Sequence, residues 1–195
     1  MKNIIKRLVR FVAFIVMLPF IITFFILSLA LGSANKDTLF SAFSQLLSLL
    51  PGKVGAYLRS GFYSIIMQSY NANVHTSFAT LFSQVDTEIA AGVYIGPQCN
   101  IGKCYIGENT LLGSAVHIMS GKEQHNFNDI DKPIKDQGGL FAKISVGKNC
   151  WLGNGALVMA NIGDDCVVAA GSVVINDVPS KSIVAGNPAK VIKTR

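Results

Sequence analysis

An apolar residue returns at every sixth position along much of this chain, a spacing that few folds accommodate. Ile89, Ile95 and Ile101 stand six apart; a five-residue step reaches Ile106, and Leu112 and Ile118 resume the six. Farther on, Val146, Leu152 and Val158 repeat the interval, a four-residue step gives Ile162, and Val168 and Val174 follow. The next residue is small at Gly96, Gly102, Gly107, Gly113, Gly147, Gly153, Gly163 and Ala169. Four positions beyond the apolar residue a compact one recurs: Val93, Cys99, Thr110, Val116, Cys150, Ala156, Cys166 and Ser172. An amphipathic helix repeats near 3.6 residues and a half-buried strand near 2, so six fits neither. Such a period, with glycine at a fixed offset, predicts a solenoid of short strands. Three hexads then make one triangular coil, with the apolar residue pointing inward, glycine serving the corner and the compact residue filling the remaining interior. Cys99, Cys150 and Cys166 read as core filler. With Cys104 they show no C-x-x-C spacing, which argues against a zinc or redox dithiol site.

The rhythm stops once, between Ile118 and Val146. A polar insert at 119–143 opens there, containing "SGKEQHNFND" (Ser120–Asp129), and it carries His125, one of only three histidines.

The first third of the chain differs in kind. The net charge is +6, and Lys2, Lys6, Arg7, Arg10, Lys36, Lys53 and Arg59 against Asp37 place all of that excess in residues 1–71. Residues 72–195 balance ten Lys/Arg with ten Asp/Glu. Nucleic-acid binding calls for a basic stripe on the folded domain, which this distribution excludes. Basic residues beside apolar sequence suit a membrane surface. Phe11–Leu31 carries no charge, and as a helix it would run about 30 Å, enough to cross a bilayer. Its length favours a retained anchor over a signal peptide. Residues 1–36 are therefore expected to form a membrane anchor, spanning or, with Pro19 as the turning point, re-entrant. Residues 37–71 predict two amphipathic helices, with Leu39, Phe43, Leu46 and Leu50 on one side of the first and Ser41, Ser44, Gln45 and Ser48 on the other. Val54, Tyr57, Leu58, Phe62, Ile65 and Ile66 repeat the pattern in the second. These helices lie either at the membrane interface or packed on the following domain.

From about residue 72 to 195 the chain resembles the hexapeptide-repeat acyltransferases. The resemblance rests on the hexads, on "WLGNGALVMANIG" and "AAGSVVINDVP", and on the terminal "AGNPAKVIKTR". Within that family it is most similar to O-acetyltransferases that modify sugars and bacterial surface polysaccharides. The resemblance implies a mainly β fold, a left-handed parallel β-helix, assembled as a homotrimer with active sites between neighbouring prisms. It also implies acetyl-CoA as donor with no metal, and a hydroxyl of a sugar, lipid-linked sugar or polysaccharide precursor as acceptor.

Acetyl transfer needs a base for the attacking hydroxyl and donors for the developing oxyanion. A histidine with a pKa of about 6.5 suits the first task. By resemblance His125, which follows the hexad Val116-His117-Ile118, is that base. His117 and Glu123 stand beside the acceptor. Gly113, Asn154 and Ile175 match coenzyme A contacts, and Lys190 and Lys193 match basic residues near its phosphates. Glu123, Asp129 and Asp131 are candidates to orient the imidazole, and Trp151 to pack on the pantetheine arm or under the loop. Gly96 stands where related sugar enzymes place an acceptor-binding asparagine. Acetyl-CoA is a cytoplasmic metabolite, so the catalytic domain is expected on the cytoplasmic face of a bacterial inner membrane.

Two rival readings use the same fold. A zinc-dependent hydratase similar to the gamma carbonic anhydrases would need His75, His117 and His125 together, and their spacings of 42 and 8 suit that poorly. His75, ahead of the counted hexads, reads instead as structural. A non-catalytic, membrane-attached trimeric scaffold would leave the polar insert without a purpose.

Overall fold

A computed structural model describes residues 2–195; Met1 and the side chains of Lys2 (one of the basic residues counted above) and Asn3 lie outside the described residues. Three helices, α1 (Lys2–Leu31), α2 (Lys36–Ser48) and α3 (Gly52–Ile66), precede a parallel β-helix. Its first coil holds β1 (Ser69–Tyr70), β2 (His75–Thr76) and β3 (Leu81–Phe82). The second holds β4 (Glu88–Ile89), β5 (Tyr94–Ile95) and β6 (Asn100–Ile101), and the third β7 (Cys104–Ile106), β8 (Leu111–Leu112) and β9 (His117–Ile118). After the insert come β10 (Ile144–Val146), β11 (Trp151–Leu152) and β12 (Leu157–Val158), then β13 (Val167–Val168), β14 (Val173–Val174) and β15 (Ser182–Gly186). Finally, β16 (Ala189–Thr194) folds back antiparallel on β15.

The strands stack into three walls. The first is β1-β4-β7-β10, extended by bridges from Val146 to Ile162 and Val178. The second is β2-β5-β8-β11-β13-β15, and the third β3-β6-β9-β12-β14. Every inward apolar residue of the hexads is buried. The coil starts one turn before the aliphatic rhythm does, because its first inward positions are Tyr70, Thr76 and Phe82. Thr76 is tolerated inside through a 2.8 Å hydrogen bond between its Oγ1 and the Tyr70 hydroxyl.

The glycine after each apolar residue has a different cause from the one expected. Left-handed φ falls three residues before the inward position instead, largely on other residue types: Gln98, Asn109, Ala115, Asn149 and Asp165. The repeat glycines are needed because consecutive coils nearly touch. A Cβ on Gly153 would lie 2.5 Å from the backbone nitrogen of Ala170. The compact slot also does more than fill space. Cys99 Sγ donates to the Gly113 carbonyl at 3.1 Å, Thr110 Oγ1 to Gly147 at 2.8 Å, and Cys150 Sγ to Gly163 at 3.1 Å. Each therefore satisfies a partly buried carbonyl of the next coil. Burial pushes the thiols of Cys99 and Cys150 up to about 11.

A solenoid's first coil exposes an unpaired edge, which proteins must cover. Helix α2 covers it with Phe40, Ser44, Leu47 and Ser48. Ser44, on the polar side of α2, is buried; its Oγ accepts from Phe82 N–H at 2.8 Å and pairs with the Tyr63 hydroxyl at 3.1 Å. The Ser48 carbonyl accepts from Ala79 N–H at 2.9 Å. Leu46 and Leu49 consequently face outward, 55% and 63% exposed. Helix α2 is thus packed on the coil, one of the two expected arrangements, through a mixed face of Phe40, Ser44, Leu47 and Ser48, with Leu39, Phe43 and Leu50 also packed against the core. Arg59, fully buried on α3, donates to the carbonyls of Leu47 (3.1 Å), Leu50 (2.6 Å) and Thr76 (3.0 Å). It thereby caps the end of α2 and ties it to the first coil.

Helix α1 passes through Pro19 without ending, so the expected re-entrant turn is not formed. Ala13, Met17, Ile21 and Phe24 are buried along one stripe, Met17, Ile21 and Phe24 in one core cluster with Phe62 of α3. Gly61 lets the two backbones approach, since a Cβ there would be 3.2 Å from the Ala13 carbonyl. That packing offsets the hydrogen bond lost at Pro19. The rest of α1 is exposed and apolar, including Ile5, Val12, Ile22, Phe25 and Ile26. Among the described residues, Ile4–Leu31 is the one stretch long and apolar enough to cross a membrane.

Candidate active site

The insert leaves the prism at the edge between the third and first walls and returns as an ordered two-armed loop. Leu140 N–H donates to Glu123 O at 2.7 Å, Asn126 N–H to Gly138 O at 2.9 Å, and Ala142 N–H to Ser120 O at 2.9 Å. The Gln137 amide gathers the tip, donating to the carbonyls of Asp129 and Lys132, both at 2.7 Å. At the return, Lys143 Nζ reaches Glu88 Oε1 of the second coil at 2.5 Å.

His125 sits exposed on the outgoing arm, with its ring edge-to-face on Phe141 at 6.4 Å. Among the described residues its imidazole has no hydrogen-bond partner, and neither Glu123, Asp129 nor Asp131 orients it. Asp129 Oδ1 instead accepts from Asp131 N–H at 3.1 Å. A cavity of about 570 Å³ lies at His125, bordered by Lys122, Glu123, Phe127 and Leu140. Directly beside it a cleft of about 480 Å³ is lined by Lys143, Met159, Asn161 and Ile175. Lys122, Glu123 and Leu140 border both spaces. The structure therefore brings His125, Glu123 and Ile175 to one prism edge.

The other candidates lie elsewhere in the subunit. Gly113 and Asn154 meet at the edge between the second and third walls, where Asn154 Oδ1 accepts from Ser114 N–H at 3.0 Å. His117 points outward on the third wall in register with Asn100 and Leu157, and lines neither cavity. Lys190 and Lys193 are exposed on β16. Trp151 is exposed on the second wall, away from its own loop, in register with Leu111. His75 stacks flat on Tyr94 at 5.1 Å. Among the described residues no cluster of three His, Cys, Asp or Glu side chains forms a metal site.

Two features of this region escaped sequence reasoning. Asn100 is the outward polar neighbour of His117, and its position immediately before Ile101 was the signal. Gly139 packs flat against the His125 arm, and the Gly138-Gly139 pair was the signal there.

Residues 143–175 match the family model described as the hexapeptide repeat of succinyl-transferase. The chain is 41% identical over 110 residues to nodulation protein L of Rhizobium leguminosarum bv. viciae, covering 53% of this chain and 55% of that protein. It is 36% identical over 92 residues to a probable acetyltransferase of Mycobacterium tuberculosis, covering 46% of this chain and 30% of that one. The matched part thus spans about a third to just over half the length of these relatives. Among solved structures, a galactoside acetyltransferase in complex with coenzyme A is similar with a TM-score of 0.63 at 18% identity, over 82% of this chain and 81% of that one. A maltose O-acetyltransferase from Clostridium difficile 630 gives 0.55 at 19% identity, over 81% and 87%. By its repeat and its strand register the chain is a hexapeptide-repeat parallel β-helix, similar in sequence over part of its length and in fold to named acetyltransferases.

Proposed function

We propose that this protein is a membrane-seated O-acetyltransferase that moves an acetyl group from acetyl-CoA to a hydroxyl of a sugar, lipid-linked sugar or polysaccharide precursor. The observation that carries this reading is the pair of adjoining spaces sharing Lys122, Glu123 and Leu140, with His125 in one and Ile175 in the other. An acceptor hydroxyl in the first would stand next to a thioester in the second. His125 takes the hydroxyl proton as the oxygen attacks the acetyl carbonyl; the C–O bond forms, the C–S bond breaks, and the proton passes to the departing thiolate. Glu123 and His117 serve the acceptor side. Gly113, Asn154 and Ile175 hold the pantetheine arm, and Lys190 and Lys193 offer two cations to the nucleotide phosphates.

These residues lie on two different edges of one prism, so a complete site requires the loop edge of one copy to meet the Gly113–Asn154 edge of another. A homotrimer does this. The exposed row Tyr94, Leu111 and Trp151 on the second wall supplies an apolar face for that contact.

Membrane seating follows from α1. A helix packed lengthwise on α3 yet apolar on its outer side suits a position in the plane of the interface. Because acetyl-CoA is a cytoplasmic metabolite, the β-helix then stands on the cytoplasmic face of the inner membrane.

The test is acetyl transfer by the purified full chain and by His125→Ala against a panel of free and lipid-linked sugars. Transfer is expected to fall at least about 100-fold in the variant, with acetyl-CoA binding retained. Equal rates would remove His125 as the base. Failure of the wild type to bind acetyl-CoA would remove the donor assignment.

A further inference from the structure

At the opposite end of the molecule from the tail, a cleft of about 330 Å³ opens between α1, α3 and the first coil. Its charged lining is all of one sign: Lys6 and Arg10 from α1 and Lys53 from the first turn of α3. The ion pairs among the described residues are Lys103–Asp86, Lys143–Glu88 and Lys148–Asp164, so none of the three has a carboxylate partner there. Arg10 is held in place by one 2.8 Å hydrogen bond from Nη2 to Asn73 Oδ1, while its Nε is buried without any partner. The Arg10 guanidinium thus lines the cleft with a single side-chain acceptor among the described residues, leaving charge-assisted donors for an anion. Burial, together with Arg59 and Lys53, holds the His75 imidazole at the cleft wall below its usual pKa, as expected where the local potential is positive. The surroundings of the cleft are apolar. Ile5 and Val9 flank Lys6 and Arg10 on α1, and Val54, 72% exposed, follows Lys53 on α3.

We infer that this cleft binds the phosphate of an anionic membrane lipid, with the acyl or prenyl tail lying on the apolar surfaces beside it. Arg10 and Lys53 grip the phosphate oxygens, and Lys6 stands at the mouth. A free anion would be served by the cations alone; the adjoining Ile5, Val9 and Val54 select a phosphate attached to hydrocarbon. This assignment rests on the membrane-seated reading of α1 and is independent of the acetyl-transfer chemistry.

The test is native mass spectrometry of the full chain in detergent, titrated with phosphatidylglycerol or phosphatidylcholine, with and without inorganic phosphate. Wild type is expected to retain phosphatidylglycerol in preference to phosphatidylcholine. Arg10→Gln and Lys53→Gln should each weaken that preference roughly fivefold, while Lys53→Arg keeps it. Lys53 is exposed, so its variants report even if Arg10→Gln fails to fold. Equal retention of the two lipids, or full preference in Lys53→Gln, would overturn the site. Inorganic phosphate bound as tightly as the lipid would overturn the lipid assignment in favour of the free ion. A protein that still requires detergent but shows no lipid preference would sink the site and leave the membrane seating of α1 intact.

Discussion

Gly139 lies so close to His125 that a Cβ on it would stand 2.8 Å from the histidine backbone nitrogen. The inbound arm of the loop therefore sets the position of the outgoing arm, and the candidate base is placed by a residue that carries no chemistry. Gly139→Ala must push the arms apart. Because misplacing a reacting group by about 1 Å can cost on the order of 100-fold in rate, we expect kcat to fall about 10- to 100-fold. The KM for acetyl-CoA and the unfolding temperature should stay near wild type. Steady-state kinetics with a thermal melt checks this, and an unchanged kcat would show that the arms move independently.

Arg59 joins α2 to the first coil through the carbonyls of Leu47, Leu50 and Thr76, of which Leu47 O also accepts from Leu50 N–H at 3.2 Å. Arg59→Met keeps the stem and removes the donors, leaving buried acceptors at roughly 1–3 kcal/mol each. With the Leu50 and Thr76 carbonyls losing their donor, the melting temperature should drop by at least about 4 °C. Arg59→Lys should fall between, because one ammonium cannot span the planar fork. Differential scanning fluorimetry in detergent separates the three.

Gly153 and Gly155 are two residues apart and should respond oppositely. Gly153→Ala drives a methyl into the backbone of the next coil at Ala170, costing about 1–3 kcal/mol. Gly155 has φ +68° with nothing within 4 Å of its would-be Cβ. Gly155→Asn, a residue that tolerates the left-handed region, should change stability by less than about 0.5 kcal/mol. Chemical denaturation of both variants provides the comparison.

Alkaline pH should loosen the fold from inside. Burial raises the Cys99 and Cys150 thiols to about 11 from 9.0, and raises Tyr63 to about 12 from 10.0. A group raised on folding contributes fully below its unfolded value and loses that contribution as pH climbs toward the folded one. Stability should hold up to about pH 8.5 and decline between 9 and 11 as the thiols ionise in the unfolded chain. A Cys99→Ala/Cys150→Ala double variant should lose part of that decline.

The β-helix was readable because an inward residue every six positions leaves little freedom, and its hexads map one for one onto buried positions. The first coil lay almost wholly within the span of the resemblance, but its hexad rhythm was hidden because Tyr70, Thr76 and Phe82 share no chemistry, only a place in the register. For helix α2 the packed alternative holds, but amphipathic patterning alone could not show that Ser44 serves the strand edge at Phe82. Pro19 marked a break that the packing of Met17, Ile21 and Phe24 against α3 overrides. His125 was legible as the histidine in the single interruption. Its neighbours Phe141 and Gly139 were not, because loop pairing brings them together across fourteen or more residues of polar chain.

The helical cap that closes the first coil also fixes a height. Stacked strands advance about 4.8 Å per coil, and the loop bearing His125 departs after the third. The edge bearing the His125 loop stands two coil steps, roughly 10 Å, above the first coil. Coil number in this chain is thus a ruler: deleting the second coil, the residues from Ile89 up to Ile106, would bring the His125 loop one rung nearer the helical cap.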